Sequence, residues 1–325
     1  MSFFNYDTLQ TIAQCFSKAV RPAMKTTAWL LRIMIPITLA VRLMQFFGVI
    51  EWMAGYLDPI FTHIGLPGYS AIAYLTGAFV TTYACVAVML TMALTMREAT
   101  IVAVMVLICH ALPLESAVVR KTGSSFWRMA VIRIVAAFLA GAYLNAVLPE
   151  AVVGSDMAQM FLSMTGETPL MAGSDWASGL LVLLQDWLWQ TVKMSVMIAS
   201  LILALMTVQR IMEAYDMMRR LSKVLSPLMR IFGLPGNAAY MWVVGNVLGI
   251  SYGSAVMVDL EEQGVITREE ANDVNYHLIM NHSMLEDTCV FAAFGISAWW
   301  ILSTRILFAM ALVWGRKAIV KKNKN

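Results

Sequence analysis

Two short stretches of this chain hold the groups that could do chemistry. His110, Glu115 and Ser116 stand in ICHALPLESAVV (Ile108 to Val119), and Asn281, His282, Glu286 and Asp287 stand in IMNHSMLEDTCV (Ile279 to Val290). Imidazole, carboxylate, amide and hydroxyl together suit a first-row divalent cation, held by His282, Glu286, Asp287, His110 and Glu115, or a proton relay coupled to transport. The same groups could instead satisfy one another as a hydrogen-bond lock. His282 and Glu286 are four apart and are expected to share a helix face, with Asn281 and Asp287 beside it. Pro113 is expected to bend its helix and free a backbone carbonyl near Cys109 and His110. Tyr83 and Tyr252, next to Thr82 and Ser251, could line a path to these groups or pack with satisfied phenols. His63 and His277 read as interfacial.

The elements that must position these groups lie in a bilayer. Hydrophobic residues make up 60% of the 325, charged residues 13%, and the mean hydropathy is +0.71, more apolar surface than one soluble core hides. Pro59 to Met96 and the 28 residues from Ile231 to Val258 contain no Asp, Glu, Lys or Arg. Each exceeds the roughly 20 apolar residues of a membrane-crossing helix. Ionisable side chains at that depth face the protein interior or an aqueous path, which makes the two polar stretches functional candidates.

The formal charge of +3 is spread along the chain apart from the tail GRKAIVKKNKN, which reads as a cytoplasmic anchor beside anionic lipid. No basic stripe with interleaved aromatics points to nucleic acid. Asp7, Lys18, Arg21 and Lys25 interrupt the first 25 residues, so an interfacial amphipathic helix is expected there rather than a cleaved signal. The four cysteines form no C-x-x-C pair, and the 26 methionines are spread over nearly every apolar segment, as packing residues are. No Walker loop, HExxH, GxSxG or GxGxxG occurs, so the chain is not expected to be an enzyme or to drive transport by ATP alone. An enzyme using Glu115 and Glu286 as acid and base would need the two close in space.

An internal repeat organises the whole chain. GLPG at Gly65 to Gly68 recurs at Gly233 to Gly236, 168 residues later, followed in each half by a glycine, Gly77 or Gly245, and by Thr82-Tyr83 or Ser251-Tyr252. TMREAT (Thr95 to Thr100) faces TREEAN (Thr267 to Asn272). The two polar stretches face each other at a separation of 171, which pairs Glu115 with Glu286. Each GLPG opens a glycine-interrupted apolar segment of the kind that forms broken or hairpin helices, with Pro67 and Pro235 ending the helix before.

Charge placement orients the halves. Lys18, Arg21 and Lys25 precede the first span, whereas the corresponding span of the second half ends at Arg210, Arg219, Arg220, Lys223 and Arg230. Arg120, Lys121, Arg128 and Arg133 precede the last span of the first half, while the basic tail follows that of the second. The expectation is an all-α polytopic membrane protein of two inverted-topology repeats, with both termini in the cytoplasm. Its expected divisions are residues 1–26 as an interfacial helix, 27–149 and 176–318 as the repeats, 150–175 as an extracytoplasmic linker and 319–325 as a basic tail.

With GLPG, His110 to Glu115 and His282 to Thr288, the chain resembles bacterial membrane proteins of the Gate, or nucleoside-recognition, family. That family includes the membrane part of ferrous iron transport protein B, concentrative nucleoside transporters and spore maturation proteins A and B. The resemblance covers about residues 27 to 318 and implies a solute-transport or gating domain in the bacterial inner membrane. The GTPase domain of the iron transporter is missing from this chain, and the nucleoside-binding motifs cannot be placed on it. Inverted repeats imply alternating access, with a divalent metal ion as the leading solute and a nucleoside or similar metabolite as the alternative. A non-transporting membrane partner, a homo-oligomer or a partner subunit remain open.

Overall fold

The computed structural model describes residues 6–92, 94–149 and 176–324. The expected linker 150–175 and the first five residues lie outside them. All regular structure among the described residues is helical, and its fourteen α-helices fall into two runs of seven in the same order. The first run is α1 (Tyr6–Phe46), α2 (Val49–Phe61), α3 (Ser70–Phe79), α4 (Thr82–Met89), α5 (Met96–Cys109), α6 (Leu112–Arg120) and α7 (Phe126–Val147). The second is α8 (Trp176–Ala214), α9 (Met217–Ile231), α10 (Ala239–Val247), α11 (Ile250–Glu262), α12 (Arg268–Asn281), α13 (Met284–Ala292) and α14 (Ala298–Lys324). Five apolar segments are long enough to span a bilayer: Leu9–Phe46, Met96–Arg120, Phe126–Val147, Gly179–Ala214 and Ala298–Lys322. The chain is an all-α polytopic membrane protein.

The repeat shows in local structure. α2 ends through a one-turn 3-10 helix, Thr62–Ile64, and Gly65 at φ 73°; the Gly65 and Leu66 N–H groups donate to the carbonyls of Thr62 and Phe61. α9 ends the same way at Gly233, also φ 73°, with Gly233 and Leu234 donating to Arg230 and Met229. Both are Schellman closures, in which glycine supplies the left-handed residue. It is therefore the first glycine of GLPG that stops the helix, and the proline only follows. Further on, Thr95 with Glu98 and Thr267 with Glu270 form two full capping boxes.

These boxes fix the register, and it differs from the expected one. They are 172 residues apart, so α5 and α12 and everything after them align at 172 rather than 171. The four extra residues are taken up around α11, which has 13 residues where α4 has 8. The outer divisions also move. Residues 6–46 form one helix with no boundary at residue 26, and α14 runs on past residue 318. α1 ends 168 residues before α8 does, the same separation as GLPG, so the expected interfacial helix belongs to the repeat itself.

The equivalent helices α1 and α8 pack along their length in opposite directions. Gly179 stands beside the Phe46 ring, Trp187 donates to Thr38, and Pro22 neighbours Met206. At about 1.5 Å per residue the 41 residues of α1 make a rod longer than the ~30 Å hydrocarbon layer. The core is built around α5, whose residues Ala99–Cys109 are all buried, and around α12. Glycines let neighbours close on these two helices. A Cβ on Gly77 would lie 2.4 Å from Val106, and one on Gly245 would lie 2.7 Å from Leu278. These two glycines sit inside α3 and α10 rather than breaking them.

Candidate functional site

The site forms where α5 and α12 break. Ala111 and Ser283 adopt left-handed φ values of 42° and 52°, ending α5 at Cys109 and α12 at Asn281, and α6 and α13 resume after them. The N–H of Ala111 donates to the Gly77 carbonyl and that of Ser283 to the Gly245 carbonyl. Pro113 lies at the start of α6, as expected of a bend, but the second half breaks at the equivalent place with Met284-Leu285 and no proline. The close approach of the glycine-bearing helix is common to both breaks. The break also corrects one expectation: Ser283 separates His282 from Glu286, so they do not share a helix face.

The carbonyls freed at each break are taken by a buried arginine. Arg133 of α7 donates through Nε to Ile108 (2.7 Å) and through Nη2 to His110 (2.8 Å). Arg305 of α14 donates through Nε to Met280 (3.0 Å) and through Nη2 to His282 (2.6 Å). Each guanidinium also holds a carboxylate, Arg133 with Glu115 at 2.6 Å and Arg305 with Asp287 at 3.3 Å. The partner of Glu115 in the other half is therefore Asp287, not Glu286, and His110 matches His282. In the sequence Arg133 reads as one of the basic residues before a span, and Arg305 carries no local mark of a role. The available signal was spacing, since each arginine follows its histidine by 23 residues.

The imidazoles join the halves. His282 Nε2 lies 2.9 Å from Glu115 Oε1, and His110 lies 3.4 Å from Glu115 through Nδ1 and 3.4 Å from Asp287 through Nε2. Their rings are 4.8 Å apart. His282 Nδ1 donates to the Leu278 carbonyl at 2.8 Å, so Nε2 is the nitrogen turned to the other half. Two lone pairs cannot meet at 2.9 Å; a proton sits between His282 and Glu115.

The remaining candidates separate. Tyr83 donates to Glu286 Oε1 at 2.9 Å, a contact between halves that places both beside the cluster. Ser116 and Asn281 are buried there, Asn281 turned along α12 to meet His277 Nδ1 at 3.2 Å. Tyr252 is not part of the site. It is 64% exposed and lines a cavity of about 300 Å³ with Gln209, Arg210 and Glu213. The helix starts explain why: Thr81 caps α4 and Gly249 precedes α11, which matches Tyr83 with Ser251 and sends Tyr252 to another face. His63 is exposed, as expected of an interfacial residue, but His277 is fully buried. A second seam lies off the cluster, where Asn275 donates to Thr122 and Ser124, and Ser124 donates to Asn272.

His110, Glu115 and His282 form a group that could hold a metal ion, with one ligand atom from each within 4.8 Å of the others. Ligand atoms around a tetrahedral first-row ion stand roughly 3.3 Å apart, so the group must draw in by up to about 1.5 Å to close on one. His282 already has the backbone-bonded second nitrogen that orients metal-ligating imidazoles.

No family model matches the chain. It is similar to a protein of Bacillus subtilis (strain 168) described as an uncharacterized membrane protein, YvoD, with 28% identity over 288 residues, 88% of this chain and 89% of that one.

Proposed function

We propose that this chain is a transporter of the bacterial inner membrane that carries a divalent transition-metal ion by alternating access of its two inverted halves, akin to Gate-family proteins. The observation that carries the reading is the buried cluster in which His282 Nε2 of one half meets Glu115 Oε1 of the other at 2.9 Å, with His110 beside them. A site split across the pseudo-two-fold is where exchange between two conformations changes access. Such an exchange separates His282 from Glu115 and His110 from Asp287, while the arginine pairs within each half persist. A metal ion that enters while they are apart is held when the halves close on it, in place of the direct His282 to Glu115 contact, with His282 Nε2, Glu115 Oε1 and His110 as ligands.

The test is uptake of Mn²⁺, Fe²⁺ and Zn²⁺ into proteoliposomes, with calorimetry on the purified protein. His282→Ala and His110→Ala are expected to lower uptake or affinity by roughly 10–100-fold while the protein still folds. Wild-type protein that neither binds nor moves any of these ions overturns the reading. A second reading has an observation of its own: every carboxylate of the cluster already has a protein partner, which suits a non-transporting protein whose halves are locked together. In that case the same variants lose thermal stability, and wild-type vesicles show no flux.

A further inference from the structure

Helix α12 differs from its counterpart α5 in one respect that the repeat does not require. Asp273, His277 and Asn281 stand at intervals of four and form one stripe along α12. The equivalent residues of α5 at the 172-residue register are Ile101, Met105 and Cys109. The stripe begins at Asp273, which pairs with Arg316 of α14 near the tail, and ends at Asn281, next to His282. It is buried along its length, where polar side chains serve a pathway or satisfy a partner.

We propose that His277 is a proton-binding site on a one-sided route from the Asp273 end of α12 to the central cluster. Its Nδ1 is contested. Trp242 Nε1 donates to it at 3.0 Å, which uses the lone pair of a neutral imidazole, while Asn281 Oδ1 stands 3.2 Å away and accepts only if Nδ1 carries a hydrogen. The two arrangements exclude each other. When a proton adds to Nδ1, the N–H formed donates to Asn281 and the Trp242 hydrogen bond is released. When the proton leaves, the lone pair takes the Trp242 hydrogen bond back.

Three polar atoms here, His277 Nε2, Asn281 Nδ2 and Asn246 Oδ1, are buried without a protein hydrogen-bond partner. Such atoms are ordinarily met by ordered water, which is also what carries a proton between side chains. The ring itself is walled by Phe232 and Trp242. Charges on the packed elements stand away from it. Arg305 and Arg133 hold the breaks, Arg316 holds Asp273, Arg97 and Glu98 begin α5, and Asp259, Glu261 and Glu262 end α11. The second half thus supplies the central proton from the tail side, and the first half, with Met105 in this place, supplies no matching exit.

This inference rests on the transporter reading for its purpose, but its first test does not. Trp242 emission, taken as wild type minus Trp242→Phe in detergent, is expected to change on acidification below the ordinary histidine range, because burial disfavours the charged ring, and to become pH-independent in His277→Gln, which keeps donor and acceptor atoms but cannot take up a proton there. Proton flux in proteoliposomes is expected to fall at least tenfold in His277→Gln and in His277→Met, the residue of the other half. Absence of a His277-dependent titration, or proton flux unchanged by both variants, overturns the relay while leaving metal uptake to stand. Wild-type vesicles that move no metal sink the transporter reading, and the emission titration still decides whether His277 takes a proton.

Discussion

Arg133 reaches three acceptors at once, two carbonyls and a carboxylate, from a position with no exposure to solvent. Arg133→Gln strands Glu115 as an uncompensated buried charge, and the expected loss is about 3–5 kcal/mol in unfolding of the detergent-solubilised protein. Arg133→Lys is expected to recover little of it, because a point charge cannot span the fork that the guanidinium fills. Tyr83→Phe removes a single bond to a carboxylate and is expected to cost about 1.5–3 kcal/mol, less in a Glu286→Gln background; equal losses in both backgrounds would contradict the Tyr83 to Glu286 contact. At this scale the sequence was informative about residue types and less so about pairings. His110, Glu115, His282 and Asp287 stand out because they are polar in apolar stretches. The arginines stayed hidden because in a sequence an arginine before a span looks like a loop residue, and only helix α7 closing over the break shows that Arg133 faces inward.

Helices end in this chain where glycine or a left-handed residue ends them, and neighbouring helices close in where glycine leaves room. Gly77 serves the second use, and Gly55 serves neither. Gly77→Ala pushes a methyl group to within 2.4 Å of Val106 and is expected to destabilise by about 1–3 kcal/mol, whereas Gly55→Ala meets nothing within 4 Å. The latter, inside α2, is expected to stabilise by about 0.5–1 kcal/mol; thermal unfolding of both variants checks the contrast. The GLPG repeats were legible as helix ends because a Schellman glycine has a local sequence cause. The one-residue shift between halves was not, because both polar stretches offer a glutamate to align and only the capping boxes, Thr95 with Glu98 and Thr267 with Glu270, anchor the helices that precede them.

Across the whole molecule, two halves of like fold are tied by the central cluster and by the seam of Ser124 with Asn272 and Asn275. A cysteine pair at Ser124 and Asn272, whose side chains meet at 2.7 Å, is expected to cross-link under mild oxidation and to stop flux until reductant is added. Flux that persists through complete cross-linking would mean this seam does not part during transport. Reporter fusions at the two termini are expected to place both in the cytoplasm; opposite sides would undo the charge-based orientation. The duplication was visible from GLPG and the landmarks that follow it in the same order, while the extent of each unit was not, since helix α1 continues unbroken through the charged N-terminal residues that resemble a separate surface segment. The arginines within each half have one more consequence. Glu115 is answered by Arg133 and Asp287 by Arg305, so each half can be inserted during synthesis with the carboxylate at its break already neutralised, without waiting for its mate. Two separately translated fragments, cut between residues 150 and 175, should therefore reassemble in the membrane.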